Sequence, residues 1–560
     1  MRADAAVGQR IVGRHHLWSV IAGVALGLGT ASHATAQAPD STMLHIGTAK
    51  QFFFDDVMVE SAQNLTRKVH RPVRDRREPV IRKDRPWEHV TYFTFSSWRV
   101  LRDPQDNLFK CWYEDWMVRQ TPIGMEAMHD PVRRGSRYLF ARSADGVRWE
   151  KPSLGRVREN GSDTNIVFGD AEFGIVHSGW VLLDESEKRP EHRYKMIYNR
   201  RRPGLSRIEI ASSPDGILWK VWETSPTMGW LGPHLDDVLS VSIDRHTGIY
   251  RLNTRHPRMY LIAPRATEPY PPRFDPARPD GPVGSFIRPA YPRDPLRENR
   301  RRVFQAESSD FVRWTNLRPV VVPDPAHDNL DEAFYGMTQM PIGDAWIGFL
   351  HVFRMTENTM HVQLLFSRDG VSFQRIQPGI PWLEGDPGSW DSLMVNVFSP
   401  PVPVGDELYV YYGGSNNHHD WWIEGRREGL NMPEAGDLGL VNYALGLLRM
   451  KADRFVSLTA LAVREGLMVT RPFQAEGGRL VVNARCRPGG SVRIAVADAD
   501  GKVIPGFEAE CCEEFRGDAI GHPLRWKEGA LIPFKNNFLR LHVYLRDADL
   551  YSFQFQSDGR

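Results

Sequence analysis

Four short segments of this 560-residue chain repeat one another, and they constrain the fold more than any other feature. They are Ser143-Ala144-Asp145-Gly146-Val147-Arg148-Trp149, Ser213-Pro214-Asp215-Gly216-Ile217-Leu218-Trp219, Ser308-Ser309-Asp310-Phe311-Val312-Arg313-Trp314 and Ser367-Arg368-Asp369-Gly370-Val371-Ser372-Phe373. Each follows one short apolar run and precedes another. Asp-Gly supplies a tight hairpin turn, and the aromatic that follows can pack back on the sheet. The third copy has Phe311 where the others have glycine, so its turn is expected to differ in detail. The segments lack the full Ser-x-Asp-x-Gly-x-Thr-Trp pattern of sialidase boxes, and they read as hairpin punctuation rather than chemistry.

Strand-like runs recur before each turn: 92–101, 108–113 and 138–143; 174–183, 194–198 and 208–212; 238–243, 259–263 and 302–308; 334–340, 345–353 and 361–367. A last cycle comprises 393–400, 407–412 and 443–449. Repetition at this period marks a repeat architecture, and five cycles of alternating or aromatic-rich strands predict an all-β fold, a five-bladed β-propeller over 45–465. A pair of ordinary β-sandwiches is the alternative, and it does not account for five passages of the same strand order. The run containing Phe52, Phe53 and Phe54 is expected to return to the last blade and close it. The character changes near Thr470, and 470–560 is expected to form a C-terminal β-sandwich that attaches to the larger domain.

The first 38 residues have another function. Arg2, Arg10 and Arg14 precede an apolar stretch from 17 to 28, and Ala34-Thr35-Ala36-Gln37-Ala38 follows. This is the order of a secretory signal peptide, and its apolar run is too short to span a bilayer. No later run is long and apolar enough to span, so a periplasmic or secreted protein is expected. Seventy-one basic and 69 acidic residues leave a net charge of +2, with arginines dispersed, and give no reason to expect a nucleic-acid partner. Four cysteines, Cys111, Cys486, Cys511 and Cys512, form neither a disulfide scaffold nor a zinc motif; one bridge from Cys486 to the adjacent pair is an open alternative.

Chemistry is expected where the first strands of the cycles begin. Glu88 and His89, Glu172, Asp236 and Asp237, Asp331 and Glu332, and Asp391 stand at that stage of the five cycles. Each is explicable alone as a solvated loop residue, but together they predict an acidic cleft. Seventeen Trp, 16 Tyr and 27 Phe in a chain of mean hydropathy −0.42 also suit a site with flat apolar surfaces beside polar groups. The segment Asn416-Asn417-His418-His419-Asp420-Trp421-Trp422 combines both, as a sugar-binding loop would or as a loop pinned by its tryptophans.

The repeat architecture over about 45–465 resembles the five-bladed propeller glycoside hydrolases of the invertase-like and arabinanase-like clans. Phe53-Phe54-Asp55-Asp56-Val57-Met58-Val59-Glu60, Tyr194-Lys195-Met196-Ile197-Tyr198 and Arg546-Asp547-Ala548-Asp549-Leu550-Tyr551 are similar to bacterial exported proteins described as family 32-like. The invertase Trp-Met-Asn-Asp-Pro-Asn-Gly motif is missing. Arg102-Asp103-Pro104 falls in a turn and Arg293-Asp294-Pro295 in a Pro-rich insertion, so fructan specificity does not transfer.

The resemblance implies hydrolysis of a polysaccharide or oligosaccharide by two carboxyl groups, one protonated and one ionised. Glu332 is the expected acid and Asp237 the base or nucleophile. Asp391 and Glu172 are orienting alternatives. Asp56 competes for the base role if its strand enters the cleft, whereas in an outer strand Asp55 and Asp56 would hold a turn or an arginine. Glu88, His89, Asp236, Asn416, His418, Trp421 and Trp422 are the expected substrate contacts. No cofactor is required. Structural calcium among the carboxylates is an alternative, as is metal binding by His418, His419 and Asp420. A noncatalytic carbohydrate-binding protein and a glycan lyase, with a Tyr or His base beside a cation, are the rival readings.

Overall fold

The computed structural model describes residues 44–557 except 75, 119, 122–123, 126–135, 170–174, 203–204, 229–237, 256–300, 420–421, 423–432, 528 and 530–536. The leader over 1–38, Glu172, Asp236, Asp237, Asp420 and Trp421 therefore lie outside the described residues. Leu44–Arg560 is one compact unit. The chain is all-β: among the described residues the only α-helix is the four-residue Pro433–Gly436.

Hairpin-connected strands build the sheets in sequence order. The first cycle gives a five-stranded sheet around Phe109–Trp116, which pairs with Ser136–Ser143 on one side and with Val90–Thr91 and Trp98–Arg102 on the other. The second gives four strands, Ile175–Leu183, Tyr194–Arg202, Leu205–Ser213 and Lys220–Val221. The third gives five, from Leu239–Ile243 to Arg313–Val321 with Thr227–Met228 added in parallel.

The five-bladed β-propeller expected from the five cycles is not what these sheets form. No sheet among the described residues closes on itself, and the fourth and fifth cycles are one nine-stranded sheet. The strand Met394–Asn396 is only three residues long, and it pairs in parallel with Thr359–Ser367 at Met360–Met394, which joins the two cycles. The closing role given to the Phe52 run is also corrected. Gln51–Phe52 pairs with Phe538–Gln556, and Val73–Arg74 is the strand added to the nine-stranded sheet.

The C-terminal strands form a ten-stranded sheet with Leu44–Gly47, Gln51–Phe52, Val59–Gln63, Thr66–Val69 and Val456–Ala460. Its long members are Arg479–Asp498, which is buried in continuous runs, and Phe538–Gln556, whose first half alternates buried apolar and half-buried side chains as a half-buried strand does. All four cysteines are thiols, and Cys486 donates to the Phe515 carbonyl instead of bridging.

The repeated turns explain how neighbouring sheets meet. In each, the serine hydroxyl and aspartate carboxylate accept the backbone N–H groups of the turn, as at Ser213 and Asp215. The turn carbonyl then faces another cycle: Gly216 accepts from Trp112, Gly370 from Gln305 and Gly146 from Tyr411. A Cβ at Gly216 would lie 2.4 Å from the Trp112 ring, so glycine is required by close approach as well as by φ +81°. Contrary to expectation, the third turn keeps this geometry. Phe311 adopts φ +67°, and its own buried ring fills the space by packing edge-on to Tyr250.

The first strands of the five cycles lie together. Arg99 donates to the Val181 carbonyl, Trp180 to Val241, Ser240 to Met337, the Val397 N–H to His351, and Ser399 to Val100. These bonds bring together segments as far as 299 residues apart in sequence.

Candidate functional site

Two local irregularities open the backbone in the first strands of the first two cycles. The partner of Phe109–Trp116 is interrupted between Thr91 and Trp98, where Phe95 adopts φ +51°. In the second cycle the register shifts between His177 and Trp180, where Ser178 adopts φ +50°. Left-handed backbone at a buried aromatic and a buried serine costs on the order of 1–3 kcal/mol each and persists only where surrounding contacts hold it. Both distortions turn side chains toward one cluster.

Its wall is aromatic. Tyr92 stacks on Trp116 with ring centres 3.8 Å apart and meets Tyr443 edge-on at 5.1 Å. Phe95 stacks on Tyr335 at 4.5 Å and meets His419 edge-on at 4.6 Å. Tyr335 comes from Glu332–Ile342, at a register shift between Phe334 and Gly336. Trp422 and the Tyr443 hydroxyl donate to the His419 carbonyl, which fixes that loop.

Two proton-carrying pairs stand in this wall. Glu114 is fully buried and accepts from His177 Nδ1 at 2.8 Å, the Ser178 N–H at 3.1 Å, Trp116 Nε1 and the Ser136 hydroxyl. Burial pushes its carboxyl up, but the His177 charge and these donors outweigh burial and hold it below the usual carboxylate range. Across the wall, the Tyr335 hydroxyl and His419 Nε2 are hydrogen-bonded at 2.7 Å. Arg255 and Arg301 stand over the Tyr335 ring, 4.1 and 4.5 Å from its centre.

The expected site residues divide into separate environments. Glu332 is buried at the first position of the Tyr335 strand; it accepts from the Asn329 N–H and lies 3.6 Å from Arg354. Glu88 accepts from Lys151, the Tyr113 hydroxyl and two backbone N–H groups. Asp391, fully buried, pairs with Arg74 at 2.6 Å and accepts from Tyr412 and Ser389. Glu88 and Asp391 are thus each held by a cation and several hydrogen-bond donors.

Asp56 pairs with Arg67 and Asp55 with Arg368, the turn-and-arginine role. His89 gives its N–H to Asp115, and burial and then Arg137 lower its imidazole pKa. Asn416 is exposed, His418 is bonded to Glu434, and Trp422 is fully buried against Tyr443. Asp236 and Asp237 directly precede Val238, whose side chain packs on Gly336 beside Tyr335. Among the described residues no group of three His, Cys, Asp or Glu side chains is arranged to hold a metal.

Glu114, His177, Tyr335, Arg255 and Arg301 were not singled out from sequence. Glu114-Asp115 sits inside the fully buried strand Phe109–Trp116, and paired carboxylates in an otherwise apolar run are the signal that could have marked it. A separate recess of about 210 Å³ is lined by residues that include Lys50, Val57, Asp344 and Arg368 and contains none of these groups.

No family model matches the chain, and no curated protein matches it in sequence. Several solved structures are similar to it at low identity. A glycosyl hydrolase from Bacteroides ovatus is 12% identical, with 69% of this chain and 95% of that one covered at a TM-score of 0.41. A β-1,2-mannobiose phosphorylase from Listeria innocua is 12% identical, covering 68% and 96% at 0.40. An N-acetylgalactosamine deacetylase from F. plautii is 14% identical, covering 70% and 97% at 0.38. Because no sheet among the described residues closes, the expected kinship with exported five-bladed propeller proteins is corrected; a distant likeness to several glycoside hydrolases remains, and it does not assign an activity.

Proposed function

We propose that this protein is an exported carbohydrate-acting enzyme that cleaves a glycosidic bond at the cluster around Tyr92, Trp116, His177, Tyr335 and His419. One observation carries the reading. Stacked aromatic rings and proton-carrying side chains from four cycles are held together by a backbone distorted at Phe95 and Ser178. Flat apolar surface beside acid–base groups is what a sugar ring and its scissile oxygen need. The basic, apolar and small-residue order of the leader supports export.

In the hydrolytic scheme Glu332, buried and three residues before Tyr335, protonates the leaving oxygen. Asp237, adjacent to the residue that packs on Gly336, acts as base or nucleophile. The His177–Glu114 and Tyr335–His419 pairs orient the sugar. The test is a glycan panel assayed for new reducing ends. Turnover by the wild type that falls at least about 100-fold in Glu332→Gln supports the scheme. Unchanged turnover rejects Glu332 as the acid, and binding without turnover across the panel favours a noncatalytic carbohydrate-binding protein.

The hydrogen-bonded Tyr335 and His419 beside two guanidinium groups favour one second reading, elimination. There the pair takes the proton next to a sugar carboxylate, the bond to the leaving oxygen breaks, a carbon–carbon double bond forms, and the leaving oxygen gains a proton. No water is consumed. An ultraviolet-absorbing product would identify this route.

A further inference from the structure

We infer that the sugar taken at this site carries an anionic group, a uronate carboxylate or a sulfate, bound by Arg255 and Arg301; this rests on the proposed glycan-acting function. The two arginines come from the same end of one sheet. Arg255 directly follows the strand Tyr250–Thr254, Arg301 precedes Val303–Ser308 by two residues, and those strands pair at Thr254 and Phe304. The Arg301 carbonyl accepts from the Phe334 N–H at 2.9 Å, which fixes it against the Tyr335 strand.

Both guanidinium groups lie within 4.5 Å of the centre of the Tyr335 ring, so they stand closer together than the roughly 10 Å over which 0.1 M salt screens charge. Arg255 is only 3% exposed, and screening is weaker still for a buried charge. A guanidinium cannot shed its proton, and its planar fork matches carboxylate and sulfate oxygens. Packing over an aromatic ring holds each guanidinium in place before a ligand arrives. The phenol edge of the same ring is bonded to His419, so an anionic group seated by the arginines would place its sugar beside the Tyr335–His419 pair. Two guanidinium groups packed against the ring that carries the Tyr335 hydroxyl would favour an acidic sugar over a neutral one.

The experiment is titration calorimetry of the full chain with three sets of short oligosaccharides: uronate oligomers, their carboxyl-reduced neutral counterparts, and sulfated galactan oligomers. The expected result is that the uronate or the sulfated oligomers bind at least about tenfold more tightly than the neutral set. That preference should be lost in Arg301→Gln and Arg255→Gln and partly restored in Arg301→Lys, with melting curves to establish that each variant folds. The uronate and sulfated arms distinguish the two sources of charge. Equal or tighter binding of neutral oligomers, or an anionic preference that survives both glutamine substitutions, overturns the inference. Turnover of neutral glycans without binding of acidic ones overturns it while leaving the glycan-acting function intact. Failure to bind or turn over any glycan overturns both.

Discussion

Replacing Glu114 by Gln tests whether the buried pair with His177 holds the site together. Every group around this carboxylate is a donor: His177 Nδ1, Trp116 Nε1, the Ser136 hydroxyl and the Ser178 N–H. A glutamine retains one acceptor oxygen, and its NH2 must then face a donor in a site with no exposure. One charge-assisted bond is lost and one buried donor is left unmatched, together about 3–5 kcal/mol of folding free energy. The pH dependence has a definite sign. The folded carboxyl titrates below its ordinary value, so its stabilisation is present above the unfolded pKa of about 4.3 and is lost as pH falls through the folded value. Urea unfolding at pH 7 should show the full gap between wild type and variant, and the gap should narrow below about pH 4. Glu150→Gln, at an exposed ion pair with Arg142, is the control and should change stability by less than about 1 kcal/mol. A Glu114→Gln variant as stable as that control, or a gap that does not narrow in acid, would show that the Glu114–His177 pair does not hold the site together.

Three further outcomes follow from the geometry. His351 is buried against Phe398, donates to the Gly336 carbonyl and accepts the Val397 N–H, and burial lowers its pKa to about 3. Stability should therefore fall by up to about 4 kcal/mol as pH drops from 6.5 towards 3, and His351→Gln should flatten this dependence in pH-resolved unfolding. Asp103→Ala should cost about 3–5 kcal/mol in urea unfolding, because it removes the carboxylate that pairs with the buried Arg193 and one of the two that pair with Lys110, which keeps Asp106. Gly216→Ala, at φ +81° and against the Trp112 ring, should cost about 2–4 kcal/mol, whereas Gly161→Ala, also at φ +81° but in open space, should cost only about 1 kcal/mol. Melting temperatures of the two glycine variants check that pair.

The parts of the fold written in local residues were legible in the sequence. Serine and aspartate that accept the N–H groups of their own turn need only neighbours in the chain, so all four hairpins were found. Phe311 shows the limit of that rule: its φ of +67° is held by tertiary packing, which turn chemistry alone does not register. The joining of the last two cycles rests on one parallel pair at Met360 and Met394, and nothing local to either methionine signals it. The strand-start pattern singled out Glu332 together with Glu88 and Asp391. Recurrence alone could not separate it from Glu88 and Asp391, because their partners Lys151 and Arg74 lie 63 and 317 residues away in sequence. His177 escaped notice because it sits in an otherwise apolar run, where a histidine reads as core until its partner Glu114 is seen.

The central claim is that a glycan is processed where Phe95, His177, Tyr335 and His419 meet. Hydrogen exchange measured with and without a bound oligosaccharide tests it most directly. Slowed exchange is expected in peptides covering residues 92–98, 177–178, 332–336 and 417–419. Protection confined to the recess near Lys50 and Asp344 or to the ten-stranded sheet, with those four segments unchanged, would contradict it.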